Sequence, residues 1–198
     1  MLPIVAIVGR TNVGKSTLFN RLIKKNRALT HDRPGVTRDR IYEEVLVEDR
    51  AFALVDTGGI DPEASSGLDE AVFYQAREAI SESEAILLVV DGRAGLTPMD
   101  SQLLDFIRKS NKPVHLVVNK VDGEEREHEL MAEFHVLGVS MSPVSAAHGH
   151  GISALMDTVL SLLPSAEGQA ETSAGAVAGL RLALLGRPNV GKSSMINS

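Results

Sequence analysis

The sequence predicts an α/β fold: a doubly wound, mostly parallel sheet with one antiparallel edge strand. Three observations carry that expectation. Apolar runs of strand length alternate with helix-length stretches, the pattern of a sheet with helices on both faces. Two of the runs, Ala85–Asp91 and Val114–Asn119, are almost continuously apolar, as strands covered on both faces must be. Two others lie so close together that only a hairpin can join them, and a hairpin makes its strands antiparallel.

Taken in order, Pro3–Val8 reads as the first strand and Thr17–Lys25 as the first helix. Tyr42–Glu48 and Ala51–Asp56 flank Asp49-Arg50, which reads as the tight turn of the hairpin. Leu68–Ser81 has helix length, and Ala85–Asp91 follows as a central strand. Pro98–Ser110 carries Leu103, Leu104, Phe106 and Ile107 at helical spacing. After the strand Val114–Asn119 come a helix over Glu125–Leu137, a short strand over Met141–Ser145 and a helix over Ile152–Leu163. Residues 164–179 are mostly Ala, Gly, Ser, Glu and Thr, the composition of a flexible linker.

Composition bounds the function classes. The chain has 198 residues, 43% hydrophobic and 23% charged, enough for one sizeable globular domain plus an extra piece. It has no cysteine, which excludes a disulfide framework and cysteine-based zinc sites. No apolar run nears the ~20 residues of a membrane span, and the N-terminus lacks a signal-peptide pattern, so a cytoplasmic location without membrane contact is expected. The net charge of −6 gives no whole-surface basis for nucleic-acid binding. Arg21, Lys24, Lys25 and Arg27 read as a solvated helix end, where cations are favourable. His148 and His150 flank Gly149 without a further ligand cluster, so a metal site there is not expected; His115, His128 and His135 read as structural or exposed.

The chemistry begins at Gly9-Arg10-Thr11-Asn12-Val13-Gly14-Lys15-Ser16-Thr17. Its G-x-x-x-x-G-K-S form, between a strand and a helix, is the phosphate-binding P-loop. A glycine-rich turn points backbone N–H groups inward to cradle phosphate oxygens. The helix N-terminus adds partial positive charge. Lys15 reaches terminal phosphates, and Ser16 offers its hydroxyl to Mg²⁺. Asp56-Thr57-Gly58-Gly59 ends the third strand. Asp56 is placed to hold Mg²⁺ through water, and Gly59 lets its N–H approach a γ-phosphate. Thr37, in the polar segment between first helix and second strand, has a hydroxyl that completes a Mg²⁺ shell. His31–Arg40 and Asp61–Asp69 then read as segments ordered by a nucleoside triphosphate and released on its hydrolysis.

The base is chosen by Asn119-Lys120-Val121-Asp122. A carboxylate has two acceptor oxygens. Guanine presents two adjacent N–H donors where adenine presents an acceptor, so Asp122 selects guanine. Asn119 ties this loop to the P-loop, and the Lys120 stem lies along the base. Ser145-Ala146-Ala147 supplies small residues whose backbone N–H reaches guanine O6.

The opening of the chain recurs. Residues 182–198 align with residues 5–21 at an offset of 177, with 9 of 17 positions identical. A second P-loop results, with Gly186, Asn189, Gly191, Lys192 and Ser193 in matching places. A repeat at this spacing is domain duplication rather than a solenoid. One strand and half a helix bury no core, so 180–198 is expected to be the start of a second domain, disordered or packed on something else.

These motifs together resemble those of the translation-factor-like GTPases, over residues 1 to about 163. The duplication, Pro34-Gly35-Val36-Thr37-Arg38-Asp39-Arg40 and Asp56-Thr57-Gly58-Gly59-Ile60 are similar to the ribosome-assembly GTPases that carry two tandem G domains. Thr11 departs from that pattern, which has Pro as at Pro188. The resemblance implies a GTP-binding and GTP-hydrolysing switch with GTP/GDP and Mg²⁺. It implies action on the large ribosomal subunit through the full-length protein. Ile60 stands where Ras-like proteins place a water-orienting glutamine. Related GTPases with Asn at the position of Asn12 bind K⁺ there, which implies K⁺-stimulated, intrinsically slow turnover of about 10⁻⁴ to 10⁻² s⁻¹. Ser16, Thr37 and Asp56 are the implied Mg²⁺ ligands; Lys15, Thr37, Gly59 and Asn12 are the implied catalytic set. No direct nucleic-acid site is evident. Two other readings stay open: a GTP-gated binding module with negligible hydrolysis, which Ile60 permits, and an ATP-dependent P-loop enzyme, which Asp122 opposes.

Overall fold

The computed structural model describes residues 2–26, 41–57 and 68–164. Six strands make one sheet: β1 (Ile4–Val8), β2 (Ile41–Val47), β3 (Arg50–Asp56), β4 (Ala85–Asp91), β5 (Val114–Asn119) and β6 (Met141–Pro143). Their order is β2-β3-β1-β4-β5-β6. All neighbours are parallel except β2 and β3, so the expected antiparallel edge strand is β2. Among the described residues five α-helices accompany them: α1 (Lys15–Asn26), α2 (Leu68–Glu82), α3 (Pro98–Arg108), α4 (Glu124–Ala132) and α5 (Ile152–Leu162).

Alternation along the strands divides the core in two. Val5, Ile7, Leu87, Val89 and Val117 face α1 and α5, meeting Leu18, Leu22, Leu155 and Val159. Ala6, Val8, Ile86, Leu88 and Val90 face the other way, toward α2 and α3, meeting Ala76, Ile80, Leu103 and Ile107. Every residue of β4 is buried, which is why its sequence shows no polar face. Truncating Leu87 or Leu88 to Ala removes about 2–5 kcal/mol from such a core.

Of the boundaries that differ from the sequence expectation, four have a clear local reason. The hairpin turns at Glu48-Asp49, both with positive φ (48° and 65°), and Arg50 belongs to β3, paired with Val47. Two left-handed residues match the strand twist that a two-residue hairpin needs. α1 starts at Lys15, because the Leu18 amide already donates to the Gly14 carbonyl at 2.9 Å. The expected helix Glu125–Leu137 is α4 followed by a 3₁₀ turn, Glu133–Leu137, stopped by Gly138 at φ 60°. β6 stops at Pro143, and Ser145 makes only an isolated bridge to His150.

Arg50 uses its place at the hairpin. Its guanidinium donates to the carbonyls of Leu160 (2.7 Å), Leu163 (3.3 Å) and Pro164 (2.8 Å). The Leu160 carbonyl is an orphan acceptor of the last turn of α5 and the other two directly follow the helix, where a cation is also favoured by the dipole. Two compact units divide the chain at Pro164. The second, Ser165–Ser198, lies outside the described residues, and with it the repeated P-loop at Gly186, Asn189, Gly191, Lys192 and Ser193.

Candidate functional site

The parallel strands end on one edge of the sheet, and the loops leaving them converge there, as open α/β sheets require. Gly9 turns the chain out of β1 at φ 155°; a Cβ on it would lie 2.3 Å from the Val89 carbonyl oxygen, so only glycine fits against β4. Asn12 follows in the left-handed region at φ 63°, and Val13 plugs the loop into the core with no exposed surface. Lys15 folds its ammonium back over the turn, donating to the carbonyls of Gly9 (2.8 Å) and Arg10 (2.9 Å). Burial pushes that ammonium below the ordinary lysine value, and the Asp56 charge opposes the shift. Ser16 and Thr17 stay exposed on the first turn of α1. That turn carries no acidic side chain, so nothing in it offsets the positive helix end.

Asp56 closes β3 opposite Ile7 and is 2% exposed. The next residue, Thr57, donates its hydroxyl to the Ile7 carbonyl at 2.9 Å and fixes where the chain leaves the sheet. Thr37, Gly59 and Ile60, with both expected switch segments up to residue 67, lie outside the described residues.

On the far side of β4, Asn119 ends β5. Its amide donates to the Val13 carbonyl (2.8 Å), and its amide oxygen accepts from the Ala146 N–H (3.0 Å). Lys120, at φ 70°, sends its ammonium to the Asn12 carbonyl (3.0 Å) and to the Asp91 carboxylate (2.6 Å). The carboxylate of Asp122 accepts from the Ser145 hydroxyl at 2.7 Å and pairs with the Arg93 guanidinium. Thr17, Asn119, Lys120, Asp122, Ser145 and Ala147 thus border one cleft of about 180 Å³. A larger cleft of about 640 Å³ adjoins it through Arg93, Lys120 and Asp122.

Residues 4–120 match the family described as 50S ribosome-binding GTPase. The chain belongs to that family. GTPase Der of Maridesulfovibrio salexigens is 51% identical over the whole of this chain, which spans 45% of that relative. GTPase Der of Lawsonia intracellularis is 53% identical, again over the whole chain and 46% of the relative. The chain therefore spans about half the length of the relatives it matches. Among solved structures, an Era variant from Aquifex aeolicus bound to GDP and AlF₄⁻ is 32% identical with a TM-score of 0.67, covering 83% of this chain and 57% of Era.

Several residues of the candidate site belong to none of the sequence motifs. Asp91 organises the loop after β4, accepting from the Arg93 and Ala94 amides (3.0 and 3.3 Å) as well as Lys120. Burial alone pushes its carboxyl up, but the Lys120 and amide hydrogen bonds, together with the Lys120 charge, outweigh burial and hold it below the usual carboxylate value. One signal could have found it: like Asp56, it is an acid at the C-terminal end of an apolar parallel strand. Arg10 ion-pairs with the fully buried Asp100 at 3.3 Å. Asp100 also closes a capping box with Thr97 at the start of α3, so the P-loop is braced on that helix.

The basic cluster needs a correction. Arg21 is not a solvated helix end: its guanidinium grips the carbonyls of Ala146 and Ala147, and Lys25 meets the Ser153 hydroxyl. Lys24 is exposed as expected, and Arg27 lies outside the described residues. Among the described residues no cluster of His, Cys, Asp or Glu could hold a metal alone, and no helix is long and apolar enough to cross a membrane. His148 and His150 lie 3.8 and 3.6 Å from Asp122 and Glu127.

Proposed function

We propose that this chain binds guanine nucleotides and hydrolyses GTP to GDP and phosphate, as a switch in assembly of the large ribosomal subunit. The observation that carries the reading is the bridge made by Asn119, which joins the phosphate loop to the loop that reads the base across one small cleft. Gly9–Thr17 hold the phosphates, and Lys15 gives up one of its two carbonyl partners to meet the terminal ones. Asp122 reads the two N–H donors of guanine with the lone pairs left by Ser145 and Arg93. Lys120 packs its stem on the base while its head stays on Asp91.

The donors also suit Mg²⁺, a hard cation that takes oxygen ligands and keeps several waters. Ser16 offers a hydroxyl, Asp56 a carboxylate at the buried end of β3, and Thr37 a second hydroxyl. When bound, Mg²⁺ neutralises charge on the transferred phosphoryl group. K⁺ at Asn12 is the second proposed cation, since Ile60 cannot orient water as a glutamine does. Residues 1–163 form the G domain in this reading, 164–179 a linker and 180–198 the start of a second nucleotide-binding unit. The ribosomal role rests on the family to which the chain belongs, and the cytoplasmic location follows from that role.

Turnover of GTP in K⁺ and in Na⁺ tests the reading, with Asn12→Ala alongside. Faster turnover in K⁺ that disappears in Asn12→Ala supports the cation role. GTP binding without turnover in either salt favours the GTP-gated module instead, the reading that Ile60 keeps in play.

A further inference from the structure

Arg21 lies on α1, one and a half turns beyond the phosphate loop, yet its guanidinium serves the other end of the nucleotide cleft. Its Nε donates to the Ala146 carbonyl at 2.9 Å, and Nη2 donates to the Ala147 carbonyl. A planar fork on two successive carbonyls fixes the orientation of both peptide units, which a flexible ammonium would not do. In a trans peptide the C=O and the following N–H point in opposite directions. Holding the Ala146 carbonyl toward α1 therefore turns the Ala147 N–H away from it.

Between Ser145 and Gly149 the other amides are already used. The Ser145 N–H donates to the His150 carbonyl (3.0 Å), and the Ala146 N–H to Asn119 (3.0 Å). The His148 N–H donates to the Ser145 hydroxyl (3.3 Å), and the Gly149 N–H to the Ser145 carbonyl (2.6 Å). From Ser145 to Gly149, the Ala147 N–H is the amide left without a protein partner, and Ala147 lines the cleft of about 180 Å³ that Asp122 also lines.

We propose that Arg21 is a positioning residue for purine recognition: by fixing the Ala146 and Ala147 peptide units it aims the Ala147 N–H at the 6-oxo group of guanine. The inference rests on the guanine reading above and adds to it a coupling between the phosphate-loop helix and the base loop. Asp122 reads the donor edge of the base; Arg21, through Ala147, sets the reading of the acceptor edge.

Dissociation constants for GDP and 6-thio-GDP, measured by calorimetry on the unaltered chain, Arg21→Ala and Arg21→Lys, test it. The thio analogue keeps both donors for Asp122 and weakens only the acceptor. Arg21→Ala should weaken GDP about tenfold, the scale of one lost hydrogen bond, and 6-thio-GDP by less than about twofold. Arg21→Lys, able to hold one carbonyl, should fall between. Equal losses for both nucleotides, or no loss, would overturn the role of Arg21 while leaving the guanine reading standing. Equal affinity of the unaltered chain for GDP and ADP would overturn the guanine reading and this inference with it.

Discussion

Asn119 donates a 2.8 Å hydrogen bond to the carbonyl of Val13, a residue 106 positions earlier in the chain. The bond is buried, and it locks the loop after β5 to the loop after β1. Asn119→Ala leaves the Val13 carbonyl and the Ala146 N–H unsatisfied. Each such buried group costs about 1–3 kcal/mol. Denaturant unfolding should report a loss of that order, and GDP binding should weaken with it. An unchanged midpoint would show that the two loops are held by other contacts.

Gly14 tests the same junction from the other side. Its φ is 96°, and a Cβ there would lie 2.3 Å from Nδ2 of Asn119. Gly14→Ala must strain the backbone and displace the Asn119 amide together. Loss of nucleotide binding with retained helix content by circular dichroism is the expected result.

The elements were legible because burial wrote them into the sequence. β4 is covered on both faces, so Ala85–Val90 reads as one apolar run and its ends are found to the residue. Turn and cap details were less so. Whether Glu48-Asp49 or Asp49-Arg50 makes the hairpin depends on where Arg50 is used, and Arg50 is used 110 positions away on the Leu160 carbonyl. The motif residues could be read from spacing because backbone N–H groups and carboxylates impose it. Arg93 and Arg21 could not, since the side chain of each acts on a partner distant in sequence and belongs to no local pattern.

Arg50→Ala should release the carbonyls at the end of α5. Charge-assisted hydrogen bonds contribute about 1.5–3 kcal/mol when buried, and these are partly exposed, so the lower end is expected. Hydrogen exchange should quicken over Leu160–Leu163 and stay unchanged in β4. Uniform exchange across the chain would contradict a local clasp.

His115 gives the fold a pH dependence. It is 3% exposed, with Nδ1 2.9 Å from the Ser140 hydroxyl and Nε2 2.8 Å from that of Ser142. Burial holds its pKa below the ordinary histidine value of 6.5. Below pH 6.5 the unfolded chain therefore binds a proton that the native chain refuses, and stability falls as pH falls. The contribution is fully present above 6.5 and lost as pH drops toward the native pKa. His115→Asn should flatten the slope of unfolding free energy between pH 7 and 5 relative to the unaltered protein.

Base selection by Asp122 is the centre of the account, and nucleotide competition measures it directly. Displacement of a fluorescent GDP analogue by unlabelled GDP and ADP should show strong preference for GDP in the unaltered chain. In Asp122→Asn one acceptor oxygen becomes an amide donor facing the N–H groups of guanine, so that preference should collapse. Equal displacement by ADP and GDP in the unaltered chain, or a preference that survives in Asp122→Asn, would contradict the assignment.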